Sequence, residues 1–359
     1  MNDEKKDVAL TLKSLKEVKL ATGVLALDVS ADGKTAFASC IDGGVFAVDL
    51  ESSEKHKLGE HSSYASGASL IANSSLLVSS GYDGALQWHD VHERKTIRKV
   101  PAHQFWSWQL AASPDGAFVA SVTGQYICGG YKYEPLPERD PSVRVHDART
   151  AKLIHSFSHV PPVQCAAFSS DGKFLAAGNL MGEVRVWELA SGKQVTNFTT
   201  PSFTGWGIIK GHYYTGGIFA LHFAANDEEL YLAGMSSTTD PAAGNGKQLW
   251  QRFNWRDAKK LGETNDSDSG RGLMETLAFH PSGKFFVMGG RLENGKWSMA
   301  VFDARSGAVL HSLDTKSRVT KALFSADGTK LFLGEALGQG KPKDGVVPDF
   351  GRITIYSVA

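Results

Sequence analysis

Short apolar segments recur along the chain in sets of three and four, and each set is built around the same kind of turn. The turns read SADGK at 30, SPDGA at 113, SSDGK at 169, HPSGK at 280 and SADGT at 325, with weaker versions in ANSSL at 72 and AANDEE at 224. Ahead of them lie LALDV, GASLI, WQLAA, QCAAF, FALHF, TLAF and KALF; after them come TAFASC, LLVSS, AFVASV, FLAAG, LYLAG, FFVMG and LFLG. A third set alternates apolar and polar with period two, as in GGVFAVDL, GEVRVWEL and GRITIYSV, and a weaker fourth set follows in KTIRKV, KLIHSF, KQVTNF and AVLHSL. Alternation over four to eight residues bounded by Gly, Asp and Ser is the pattern of a half-buried strand.

The turn glycines Gly33, Gly116, Gly172, Gly283 and Gly328 fall at one or two multiples of a period in the forties, stretched where insertions occur. That period belongs to propeller blades rather than helical solenoids. Seven units of four strands predict an all-β fold, a seven-bladed β-propeller of four-stranded antiparallel blades. The last unit stops at a third strand, GRITIYSVA, while VALTLKSL near the N-terminus is a strand without a unit. The pattern therefore predicts a single domain over residues 1–359, with residues 7–17 or so supplying the outer strand of the last blade and closing the ring.

Composition narrows the chemistry. The 359 residues are 42% hydrophobic and 21% charged, a composition that folds. Lys+Arg and Asp+Glu are equal at 38 each, without the basic excess that neutralises phosphates, so no nucleic-acid partner is expected. Cys40, Cys128 and Cys165 are too scattered for a disulfide framework or a paired-thiolate zinc site. No apolar run reaches the ~18 residues of a membrane span, and the first residues lack the apolar core of a secretory signal. These features predict a soluble, cytoplasmic protein without membrane insertion, although a chain trimmed of its signal would read the same.

With the SPDGxxxAS turn and the VWE, HDA and FDA strand ends in view, the sequence resembles the WD-repeat family over nearly its whole length, in the divergent form of bacterial repeat propellers without assigned activity. The resemblance implies blades braced by a hydrogen-bonded His, Ser/Thr, Asp and Trp. Unit 2 supplies His61, Ser79 and Asp83, but His89 stands at the tryptophan position, with Trp88 one residue early. Unit 4 supplies His159 and Trp187, with Ala177 and Met181 where Ser and Asp belong. Unit 1 keeps Asp42 beside Ala38 and Val48. These residues are expected to be structural.

His61, Ser79 and Asp83 are also the residue types of a hydrolase triad, in which a base activates a weak serine nucleophile. No G-x-S-x-G elbow accompanies them, and bracing is the expected role. GQGKPKDG at 338 lacks the spacing and the Ser/Thr of a phosphate loop, and ETNDSDSG at 263 lacks full calcium-loop spacing despite Glu263, Asp266 and Asp268. No metal, cofactor or catalytic residue is expected.

The insertions carry more information. The step from second to third strand is short in unit 4, Ala177 to Glu188, and far longer in unit 3, Ser121 to Asp147. Units 5 and 7 are extended at the same step, by SSTTDPAAGNG and EALGQGKPKDGVVPD, and TTPSFTGWGIIKGHYYTGG leads into unit 5. In a propeller these loops share one face. Trp106 and Trp108 precede the innermost strand of unit 3 and should stand at the mouth of the central channel there, pointing to the same side if the strand has begun. Tyr126, Tyr131, Tyr133, Trp206, Tyr213, Tyr214 and Phe350 join them on neighbouring loops, and Arg271, Glu275 and Arg318 add charge at the rim. The expected function is a non-enzymatic scaffold that binds a protein or peptide through this face, since aromatic and Arg anchors suit such contacts. The alternative is a carbohydrate or other small molecule at the channel mouth; a hydrolase or lyase in the same funnel comes third.

Overall fold

A computed structural model describes residues 10–124, 138–203, 216–224, 226–236, 246–338 and 340–359. Seven separate four-stranded antiparallel sheets are present, and no α-helix occurs among the described residues. No helix there is long and apolar enough to cross a membrane. The innermost strands are Val24–Val29, Ala65–Leu70, Ser107–Ala112, Val163–Phe168, Gly217–Ala224, Arg271–Phe279 and Arg318–Phe324. Six blades then run outward in chain order. The seventh takes its outer strand from Leu12–Leu20, which pairs antiparallel with Gly351–Val358. Ring closure by the N-terminus is as the pattern predicts, but the strand sits further along than residues 7–17. Leu12, Val18 and Leu20 are its buried positions, and they fix the register.

The recurrent turns have a common chemistry. Ser30 Oγ donates to Asp32 Oδ1 at 2.6 Å, the same carboxylate accepts from Lys34 N at 3.1 Å, and Thr35 N donates back to Ser30 Oγ at 3.0 Å. The arrangement recurs at Ser113 with Asp115, Ser169 with Asp171 and Ser325 with Asp327. The glycine that follows has φ between +67° and +74° in each, a region L side chains avoid. Ser-x-Asp-Gly is thus the sequence of one hydrogen-bonded turn, which is why it marks the period.

The core lies between blades. Val18, Leu20, Phe332 and Ile353 of the seventh blade pack with Val24, Leu27 and Ala36 of the first, so the closing strand belongs to the apolar seam it completes. Trp88 is fully buried, and its Nε1 donates to Ala148 O of the next blade at 2.7 Å.

One irregularity positions the site. Each innermost strand slips register near its start, and the skipped residues are Leu25, Ser66, Trp108, Gln164, Phe219, Glu275 and Thr320. A bulge leaves one residue unpaired and re-aims its side chain. All seven line the same cavity on the ring axis.

Candidate functional site

The central channel widens at one end into a cavity of about 300 Å³, walled by the seven bulge residues together with Tyr82 and Leu180 from loops between second and third strands. A second cavity of about 230 Å³ continues toward the Ser-x-Asp-Gly turns and shares Gln109, Leu110, Glu275 and Lys321 with the first. The wide end is the face carrying the insertions.

Trp106 and Trp108 meet here. The strand begins at Ser107, and the bulge falls on Trp108. Trp108 therefore turns into the channel, while Trp106 stands outside it; their rings still touch edge to face at 5.7 Å. Tyr82 of the preceding blade stacks on Trp106 at 5.0 Å and meets Trp108 edge-on at 5.1 Å. Phe105 also stacks on Trp106, at 4.9 Å, and Tyr64 leans on Tyr82 at 5.3 Å. Tyr82 and Phe105 thus both stack on the Trp106 indole. It remains 43% exposed and Tyr64 46%, so the cluster holds itself together and still shows rings to solvent.

Across the mouth, Arg318 grips Glu275 with both arms of its guanidinium, Nε to Oε2 at 2.5 Å and Nη2 to Oε1 at 2.6 Å. Burial pushes the Tyr82 hydroxyl up to about 12, and the charges of Arg318 and Glu275 act on it from across the opening. Arg271 is exposed where its strand opens, bridged to Lys247, and Phe350 is half-buried with its carbonyl accepting from Leu337 N at 2.7 Å. Phe350 takes no part in the Tyr82 cluster among the described ring contacts. Val346, in the seventh-blade insertion, is 69% exposed. Tyr126, Tyr131, Tyr133, Trp206, Tyr213 and Tyr214, with Cys128, lie outside the described residues.

The bracing residues of the second blade form a continuous chain. His61 Nδ1 lies 2.9 Å from Asp83 Oδ1 and Nε2 2.8 Å from Ser79 Oγ; Ser79 Oγ is 2.8 Å from His89 Nε2, and His89 Nδ1 is 3.0 Å from Thr96 Oγ1. His89 thus takes up the ring contact that the resemblance assigns to tryptophan. His61 Nδ1 donates to the Asp83 carboxylate, and the Ser79 hydroxyl bridges the two imidazole rings. Burial pushes the Asp83 carboxyl up, but the hydrogen bond and charge of His61 outweigh it and hold it well below the usual range. The spacing is that of a hydrolase triad, yet Ser79 has no exposed surface and both its neighbours are histidine rings.

The third blade repeats part of the device, without the aspartate and with His146 Nδ1 lacking a partner among the described residues. His103 Nε2 lies 2.8 Å from Ser121 Oγ, and His146 occupies the strand position of His89. In the fourth blade Ala177 offers no hydroxyl, and its carbonyl stands 3.2 Å from His159 Nε2 instead. Asn179 replaces the aspartate, accepting from Met181 N at 2.9 Å and Glu183 N at 2.8 Å. Trp187 stacks on Phe157 at 4.9 Å. The seventh blade is braced by the fully buried Glu335, which accepts from Arg352 Nε and Nη2, both at 2.8 Å, and from the Ser317 and Thr354 hydroxyls. Among the described residues no group of three His, Cys, Asp or Glu is placed to hold a metal. Around 263 the chain makes a polar turn whose Asp268 carbonyl accepts from Trp297 Nε1 at 2.9 Å.

Seven four-stranded sheets around an axial channel, closed by a shared terminal blade, define a seven-bladed β-propeller. The family model "WD domain, G-beta repeat" matches residues 151–188, which include the first three strands of the fourth blade. Apoptotic protease-activating factor 1 of Rattus norvegicus is 27% identical over 168 residues, 46% of this chain and 12% of that protein. Telomerase protein component 1 of Rattus norvegicus is 24% identical over 330 residues, 90% of this chain and 11% of that protein. Target of rapamycin complex subunit wat1 of Schizosaccharomyces pombe is 28% identical over 129 residues, 35% of this chain and 36% of that protein. The chain thus spans only a small part of the length of the first two relatives. With the repeat match, these relatives and the fold, the chain is a seven-bladed β-propeller that carries a WD repeat and is similar to WD-repeat proteins.

Proposed function

We propose that the protein is a non-enzymatic interaction scaffold that docks a protein or peptide on the channel-mouth face. The observation that carries this reading is the Tyr82–Trp106 stack: a preassembled, partly exposed aromatic cluster beside the Arg318–Glu275 pair. Rings already fixed by their neighbours lose little freedom on binding, and aromatic anchors dominate interface energetics. A relative named as a subunit of a complex is in keeping with it. The enclosure of Ser79 supports bracing over turnover for the His61–Ser79–Asp83 set.

The test is affinity capture from cell extract with the intact protein and with Trp106→Ala, Tyr64→Ala and, on the opposite face, Lys34→Ala and Lys173→Ala. Partners retained by the two lysine variants and lost from the aromatic ones support the reading. The reverse pattern would overturn it.

A further inference from the structure

Beneath the mouth the channel holds an ammonium that makes no hydrogen bond among the described residues. Lys321 follows the bulge of the seventh blade and lines both cavities. It is half-buried and lines the channel, and among the described residues its ammonium makes no hydrogen bond or ion pair. Burial pulls its proton affinity below the usual lysine value, and the Asp28 charge acts against that. The corresponding residues of the other blades are Ala26, Gly67, Gln109, Cys165, Ala220 and Thr276, all small or hydrogen-bonded to the neighbouring blade. Packing at this position does not call for a lysine.

The acids nearby are already engaged. Asp28 accepts from Val29 N at 2.8 Å and Leu70 N at 2.7 Å, one on each oxygen, and Glu275 has both oxygens on Arg318. Among the described residues, Gln109 accepts from Ala166 N on its carbonyl at 2.8 Å and keeps its amide hydrogens, while Ser69 makes no side-chain hydrogen bond. His222 stacks on Phe279 at 4.6 Å and is held neutral, at about 4, mainly by burial. The two nearby carboxylates are thus engaged by other donors, while the Lys321 ammonium and the Gln109 amide hydrogens line the channel without a partner among the described residues, and a partly desolvated ammonium favours an anionic one. We propose that the central channel binds a small oxyanion, a carboxylate or phosphate group, with the Lys321 ammonium as the charged contact and the Gln109 amide beside it. The inference rests on the channel interior and is independent of the aromatic-face reading.

The oxyanion could belong to a free small acid or to the end of a docked chain, and calorimetric titration separates them. Succinate, inorganic phosphate and the neutral succinamide are titrated into the intact protein and into Lys321→Met, alongside a short peptide with a free or an amidated C-terminus. The result expected is saturable binding of an anion, absent with the neutral analogue and at least about tenfold weaker in Lys321→Met. Binding of the free-carboxylate peptide alone, lost on amidation and in the variant, assigns the group to a chain end and also supports the site. Failure of every anion to saturate, or equal binding to the variant, overturns it. A crystal of the intact protein soaked in iodide tests the same point without a substitution: an anomalous peak beside Lys321 Nζ is expected, and peaks on the outer surface alone contradict the proposal.

Discussion

Trp106 lies flat on Tyr82, the ring centroids 5.0 Å apart and the planes 6° from parallel, although the two residues belong to different blades. The contact ties a loop between second and third strands to the segment that leads into the next blade, so the face is built by neighbouring units together. Because Trp106 remains partly exposed, its removal should affect binding as well as folding. Trp106→Ala is expected to cost about 2–4 kcal/mol of stability, the scale of its three ring contacts. Denaturant melts check this; a larger loss would make the cluster a structural plug.

Closure of the ring should be the largest single contribution of the N-terminal segment. Removing residues 1–20 deletes the strand that pairs with Gly351–Val358 and strips Val18 and Leu20 from the seam between last and first blades. Each buried side chain of this size contributes about 1.5–3 kcal/mol. The truncated protein should melt many degrees lower, with the edge of the last blade exposed to aggregation. An unchanged melting temperature would contradict the closure.

The second-blade chain predicts a stability effect at Ser79. Ser79→Ala leaves the facing nitrogens of His61 and His89 without a partner, at a cost of about 2 kcal/mol. Urea unfolding measures it. A hydrolytic activity that vanishes in this variant while stability holds would reverse the assignment.

Four buried histidines set a pH dependence. Burial is the main cause that draws His89 and His146 down to about 4 and His103 and His159 to about 3. In the unfolded chain each titrates near its ordinary value of about 6.5, so below that pH the unfolded state binds more protons. Their contribution is complete above about pH 6.5 and is lost as pH falls toward 4, each adding a slope of up to ~1.4 kcal/mol per pH unit. Urea midpoints should be flat from pH 7 to 8 and fall steadily from 6.5 to 4.5. A level profile down to 4.5 would mean that these rings are protonated in the folded protein.

The blades were legible in the sequence because one turn, Ser-x-Asp-Gly, satisfies its own hydrogen bonds and so repeats with little change. The bulge ring was not, since Leu25, Ser66, Trp108, Gln164, Phe219, Glu275 and Thr320 share no chemistry; the slip is a property of strand geometry. His103 and Ser121 could have been found, for they stand at the same spacing as His61 and Ser79, but the long insertion after Ser121 displaces His146 and hides the set. The closing strand starts later than the alternation suggests, since Val8 and Leu10 alternate in sequence as Val18 and Leu20 do, and the pairing with Gly351–Val358 settles its start at Leu12.

The central claim is that partners meet the aromatic face, and site-specific photocrosslinking tests it most directly. A benzophenone amino acid is placed singly at Tyr64, Trp106, Lys34 and Lys173, and each protein is irradiated in cell extract. The account predicts discrete crosslinked species from positions 64 and 106 and none from 34 and 173; crosslinks confined to 34 and 173 would place the interaction on the opposite face and contradict it.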